Sequence, residues 1–175
     1  MSILKVARMG HPVLRTKTRP LDRSDLRKAA TQKLIDDMID TMLEYHGVGL
    51  AAPQVHEELR LFVALLDATE TGESESEPAV IVNPEISATG SEIVEGWEGC
   101  LSIPDIRGRV SRVRDIRVRA LNRRGDPIEL ELHGFPARVI QHEADHLDGV
   151  LFFDRMRSFE SLTFLDEYSR YWVKD

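Results

Sequence analysis

Between residues 141 and 149 the sequence runs QHEADHLDG, with two histidines four positions apart and a glutamate beside the first. On a helix, positions i and i+4 lie one turn apart on the same face, so His142 and His146 can turn both imidazoles toward one ion. Glu143 then sits about 100° round the helix, close to that ion but not required to bind it. This is the His-Glu-x-x-His arrangement, in which the carboxylate handles the proton of a water that the ion activates. Two histidines on an ordinary helix would show the same spacing, and only a third ligand from elsewhere in the chain separates the two readings.

The stretch EGCLS, residues 98–102, offers that ligand. Cys100 is the sole cysteine and cannot form an internal disulfide, so its thiol is a buried core residue, a nucleophile or a metal ligand. With His142 and His146 it would give three protein ligands and an open fourth position, the pattern of a catalytic ion. As a nucleophile with a histidine for its base it would instead make a cofactor-free thiol hydrolase, which a chelator would leave active. His11, His46, His56 and His133 have no partner at ligand spacing and read as surface or packing residues.

The rest of the sequence supplies a scaffold for that helix. Residues 24–45 predict an amphipathic helix capped by Ser24, with Leu26, Ala30, Leu34, Met38, Thr41 and Met42 near the helical period. VGLAAPQV breaks it with glycines at 47 and 49 and a proline at 53. Strand patterns follow in LRLFVALLD, AVIVNPEI, SEIVEGWEGCLSIP, VSRVR, IRVRALNR and PIELELHG, the last two joined near RRGDP. These are antiparallel meanders rather than alternating strand-helix units. TETGESESEP reads as a solvated loop or hairpin tip. Pro136 opens the histidine helix and Gly149 closes it, giving about 136–147, and a last helix over 159–172 sets Leu162, Leu165, Tyr168 and Trp172 as a stripe for docking on the core. The expected fold class is α+β: antiparallel sheets around the metal-bearing helix, an N-terminal and a C-terminal helix, and residues 1–175 forming one catalytic domain.

A formal charge of −7 argues against general nucleic-acid binding, which needs an excess of Lys and Arg on some face. Arg107, Arg109, Arg112, Arg114, Arg117 and Arg119 recur at nearly alternate positions and predict exposed strand faces. No apolar run approaches the ~20 residues of a membrane span, and MSILKVARMGHP lacks the features of a signal peptide, so a cytoplasmic, membrane-free location is expected.

Three motifs, GVGLAAPQ (47–54), EGCLS (98–102) and QHEADHL (141–147), resemble those of peptide deformylase in order and spacing. The resemblance extends to the chain length, the helix before the first motif, the strands between the second and third, and a helical C-terminus. It implies removal of the N-formyl group from the formyl-methionine of newly made polypeptides, with release of formate. By position it implies Cys100, His142 and His146 as ligands of one divalent ion, usually Fe2+ with Ni2+, Co2+ or Zn2+ able to substitute, and Glu143 as acid and base. It implies an oxyanion hole from the Gln54 amide and the Leu101 N–H; on pattern alone these would be a surface glutamine and a core leucine. Val48, Gly49, Gly99, Phe135, Arg138 and Val139 are implied around the substrate, although the apolar three among them also fit a core. Gly49 suits either close approach of a peptide lying as an added strand or a plain tight turn. Gly96-Trp97, where many relatives carry an acidic residue, departs from the pattern at the rim of the methionine pocket. Asp145 fits a group that orients a neighbour or pairs with a strand arginine. Formyl-methionyl nascent peptides and the ribosome are the implied partners. A protein of this kind that binds peptide or metal without catalysis is the remaining alternative.

Overall fold

The computed structural model describes residues 2–173. The chain opens with an extended strap carrying one 3-10 turn, Pro12–Arg15, and reaches α1 (Arg23–Leu26) and α2 (Ala29–Glu44). The single helix expected over 24–45 is therefore two. Asp22, not Ser24, caps the first piece by accepting the Asp25 N–H at 2.8 Å, while the Ser24 hydroxyl donates to Asp22. Lys28 then takes an extended conformation (φ −67°, ψ 133°) that breaks the helix before Ala29.

Seven strands follow with one antiparallel neighbour after another: β1 (Gly49–Ala51), β2 (Leu61–Ala64), β3 (Ala79–Ala88), β4 (Ile93–Cys100), β5 (Ile103–Val113), β6 (Asp115–Leu121) and β7 (Pro127–His133). They form a five-stranded sheet ordered β1-β2-β3-β6-β7, and a smaller sheet in which β4 and β5 pair. After β7 come α3 (Gly134–Leu147), α4 (Phe152–Arg155), the two-residue strand β8 (Thr163–Phe164), which pairs with β5, and α5 (Leu165–Tyr171).

The large sheet is covered on both faces, which explains why β2 is apolar without interruption rather than alternating. Leu61 and Val63 join Ile35, Met38 and Met42 of α2 in one core; Phe62 and Ala64 join Ala137, Ile140 and Leu147 of α3 in the other. A third core under the small sheet gathers Val13 and Leu14 of the strap with Cys100, Val110, Leu151 and Phe152.

Helix α3 begins at Gly134, two residues before the expected start, because Gly134 adopts φ +59° and turns the chain out of β7 without a loop. Pro136 then falls in the first turn, where a missing N–H removes no helical bond. Nine of the fourteen α3 residues are buried, so the helix lies inside the molecule rather than on it.

The arginine series divides. Arg117 and Arg119 stand on the exposed face and pair with Glu131 and Glu129 across the β6–β7 hairpin, as alternation predicts. Arg112 does not: it is only 6% exposed and points inward, where two carboxylates compensate its charge. The C-terminal helix is also shorter than expected. Residues 163–164 are drawn into β8, and α5 has no buried residue, so it does not dock on the core.

The C-terminal end of α3 is tied to the strap: the Thr18 N–H and hydroxyl both donate to the Leu147 carbonyl at 2.9 Å. Just beyond, Gly149 holds φ +71°, and a Cβ there would lie 2.6 Å from the Arg15 carbonyl oxygen. Gly149→Ala combines a left-handed conformation with a backbone collision and should lower stability by about 1–3 kcal/mol in urea unfolding. An unchanged unfolding midpoint would mean that the strap does not press on this turn.

Candidate metal centre and active site

Two elements far apart in sequence build the centre. Helix α3 contributes His142 and His146 from one face, and the last residue of β4 contributes Cys100. Their ligand atoms lie within 4.8 Å of one another, with Cys100 Sγ 3.2 Å from His146 Nε2. The two imidazole rings stand edge to face, centroids 5.0 Å apart.

Each imidazole is oriented differently. His142 donates its Nδ1–H to Glu98 Oε2 at 2.9 Å, an assignment that follows from the carboxylate beside it and leaves Nε2 for the cluster. His146 is held by burial and by its Nε2 contact with Cys100, and its Nδ1 has no hydrogen-bond partner among the described residues.

Glu98 connects the centre to the scaffold. Its two oxygens accept from Arg112 Nε and Nη2, both at 2.9 Å, and Oε1 also accepts from Arg138 Nη1 at 2.9 Å. Arg112 reaches on to Asp145 at 2.5 Å, and Asp145 accepts from Arg155 at 2.7 Å. Asp145 thus pairs with a strand arginine, one of the two roles its position suggested. Burial alone would raise the Glu98 carboxyl, but Arg112 and His142 outweigh it and hold the group far below the usual carboxylate range. Arg138 is committed as well, its guanidinium bonding the carbonyls of Val94 and Val110 in addition to Glu98. Gly96 makes room for it, since a Cβ at 96 would lie 2.9 Å from Arg138 Nη2.

The thiol among the three donors is set to bind a cation. Burial works against a Cys100 thiolate, yet His146 and His142 beside it pull the thiol well below its ordinary value. Burial likewise works against charge on His142, and Cys100 with Glu98 pushes it well above the imidazole range. A buried thiolate facing two imidazoles is a soft donor set for one late divalent ion.

Glu143 is 4% exposed, and its Oε2 has no partner among the described residues. Burial pushes its carboxyl up to about 7, with His142 and His146 opposing part of that rise. Such a carboxyl can accept and return a proton near neutral pH. Gly49 lies against it: a Cβ there would come 2.7 Å from the Glu143 carboxyl carbon. β1 is the edge of the large sheet, so Gly49 belongs to an open strand edge and not to a tight turn.

Gln54 is buried in the 3-10 turn Ala52–Val55. Its Oε1 accepts the Ala51 N–H at 2.8 Å, which fixes the amide so that Nε2 faces Cys100 Sγ (3.4 Å) and Ser102 Oγ (3.3 Å). Leu101 follows Cys100 at the turn into β5.

A cavity of about 580 Å³ opens over these groups. Val48, Gly49, Gln54, Gly99, Cys100, Leu101, Phe135, Arg138, Val139, His142 and Glu143 all line it, and His146 lies buried behind. Trp97 lines it too, in keeping with its expected place at the rim, and so do residues that the sequence did not assign to the site: Glu70 and Thr71 from the acidic loop, Arg107, and Leu165 and Tyr168 of α5. Glu98 stood in view within EGCLS, but its acceptor role depends on arginines that become neighbours only after folding.

Residues 3–161 match the family model described as Polypeptide deformylase. Peptide deformylase 2 of Nostoc sp. is 41% identical over 175 residues, covering 99% of this chain and 97% of that protein. Peptide deformylase 1 of Prochlorococcus marinus is 45% identical over 170 residues, covering 95% and 88%. The crystal structure of a class I type b peptide deformylase from Acinetobacter baumannii with Met-Ala-Ser bound superposes with a TM-score of 0.83 at 41% identity, over 89% of this chain and 100% of that one.

Glu98→Ala should strand two buried guanidinium groups and free His142 to rotate. The expected cost is about 3–5 kcal/mol in denaturant unfolding, with metal affinity weakened about 10–100-fold in a competitive chelator titration. Glu98→Gln, which keeps the shape, should fold more readily and still lose affinity; wild-type affinity in both variants would deny Glu98 any part in holding His142.

Proposed function

The chain belongs to the polypeptide deformylase family, metal-dependent hydrolases that remove the N-formyl group from newly made polypeptides, and from that premise we propose how its residues divide the work. Cys100, His142 and His146 hold the ion; the mutual reach of their donor atoms and the soft thiolate–imidazole set support this. When bound, the ion supplies a Lewis acid that lowers the pKa of water and draws charge from a carbonyl oxygen.

Glu143 is the proton carrier. It takes a proton from the attacking water and delivers it to the departing amine, a role supported by its burial, its free oxygen and a carboxyl poised at about 7. Gln54 presents its Nε2–H to the oxygen that gains charge as the formyl carbon becomes tetrahedral, and the Leu101 N–H assists. The hydrogen bond from Ala51 supports the glutamine assignment, because it prevents the amide from turning its oxygen inward.

The substrate lies as an added strand against the open edge of β1 at Val48 and Gly49, with Gly99 of β4 on its other side. Phe135, Val139 and the stem of Arg138 frame the methionine side chain. The Arg138 guanidinium, bound to Glu98 and two carbonyls, fixes that pocket rather than reaching into it.

Ferrous iron is the ion we propose in the cell, as the resemblance implies, with Ni2+, Co2+ or Zn2+ accepted in preparations; elemental analysis after anaerobic purification names it. Residues 1–175 act as one catalytic domain. No helix among the described residues is long and apolar enough to cross a membrane. A lone functional thiolate is best preserved in a reducing compartment, which supports the cytoplasm. The ribosome, where formylated chains emerge, is the proposed site of encounter, and co-sedimentation is its assay.

The observation that carries this reading is a buried carboxylate, one oxygen of which has no partner among the described residues, beside a Cys-His-His cluster that meets a cavity of about 580 Å³. Metal-loaded protein should release formate from formyl-Met-Ala-Ser. Glu143→Gln should lose about 10²–10⁴-fold or more in turnover while keeping its metal and its affinity for the product peptide. Undiminished turnover in that variant would remove Glu143 as the proton carrier, and no turnover by fully loaded wild type would refute the activity.

A further inference from the structure

The match to the family model ends at residue 161, yet the chain continues through β8 and α5 and returns to the cavity. β8 pairs with β5 at Phe164–Ile106 and Thr163–Arg107, and the Arg109 N–H donates to Ser161 Oγ at 3.0 Å. These bonds lay the segment across the small sheet and set α5 at the cavity rim.

Helix α5 has no buried residue and is too short to persist by itself, so its place depends on a few side chains. Trp97 is the main one. Its ring meets Tyr168 edge to face, centroids 5.0 Å apart at 66°, and Trp172 at 5.5 Å and 53°. The Arg109 guanidinium lies 5.9 Å from the same ring. Trp97 therefore organises the terminal helix.

Trp97, Leu165 and Tyr168 also line the cavity. We propose that they form a subsite for the side chains that follow methionine, and that it favours apolar or aromatic residues there. This inference rests on the deformylase reading.

Distance along β4 places the subsite. Residues 97 to 100 all line the cavity, and three steps of strand separate Trp97 from the ligand sulfur, about 10 Å. A peptide bound as a strand advances about 3.3 Å per residue. With its formyl group at the Cys100 end, such a peptide brings its second and third residues to the level of Trp97. There it meets aromatic rings and the Leu165 side chain, a surface that gains from ring–ring contact and from apolar burial.

The test uses full-length, metal-loaded protein and three peptides: formyl-Met-Ala-Ser, formyl-Met-Phe-Ser and formyl-Met-Ala-Phe. Wild type should prefer at least one phenylalanine peptide, through a lower KM. Tyr168→Ala should reduce that preference in kcat/KM by about three- to tenfold, with the loss falling on KM for the phenylalanine peptide. Tyr168→Phe, which keeps the ring, should retain it, and Leu165→Ala should reduce it in the same direction. An equal loss for all three peptides would make α5 merely structural and overturn the proposal. So would a preference that survives Tyr168→Ala, or a wild type indifferent to phenylalanine at both positions. If wild type turns over none of the peptides, the deformylase reading itself falls and takes this inference with it.

Discussion

One buried carboxylate, Glu98, ties the catalytic helix to the small sheet. Its oxygens receive Arg112 from β5, Arg138 from the start of α3 and the Nδ1–H of His142 from the middle of α3. Charges taken out of water are costly, and an array of this kind stabilises a fold only when every member is satisfied. Here nearly every contact is: Arg112 divides its donors between Glu98 and Asp145, Asp145 accepts from Arg155 as well, and the remaining Arg138 donors go to strand carbonyls. The consequence reaches the chemistry. Glu98 fixes the rotation of His142 and stands two residues before Cys100, so one group sets the distance between ligands from two elements.

Close packing supplies the rest of the precision. Gly49 lets the edge strand press against Glu143, and Gly96 lets Arg138 pass to the carbonyls of β4 and β5. A methyl group at either position would displace a side chain that the site depends on. This tight assembly leaves two buried polar atoms with no partner among the described residues, Glu143 Oε2 and His146 Nδ1. An unpartnered carboxylate oxygen beside three converging donors is poor design for a structural core and suited to handling protons.

The groups that converge at the centre were legible in the sequence because their geometry is local. His142, Glu143 and His146 share one helix, whose period alone places them, and the motif around Cys100 supplied the third donor. The supporting groups were not, because their partners lie far off in sequence: Glu98 is 14 residues from Arg112, 40 from Arg138 and 44 from His142. Arg112 shares the alternation of Arg117 and Arg119, and period cannot distinguish a strand face that meets solvent from one that meets a buried carboxylate. The acidic loop looked merely solvated, yet Glu70 and Thr71 reach the cavity. At the C-terminus a helical stripe hid a two-residue strand, because Thr163 and Phe164 favour a strand and find their partner in β5, more than fifty residues away in sequence.

The proposed division of roles requires a sulfur-ligated ion. X-ray absorption at the metal edge of zinc-loaded, anaerobically prepared protein tests this most directly. It should show one sulfur at about 2.3 Å and two imidazole nitrogens at about 2.0–2.1 Å, with one or more lighter scatterers completing the sphere. A spectrum fitted by nitrogen and oxygen alone would remove Cys100 from the centre and contradict the arrangement of Cys100, His142 and His146 described here.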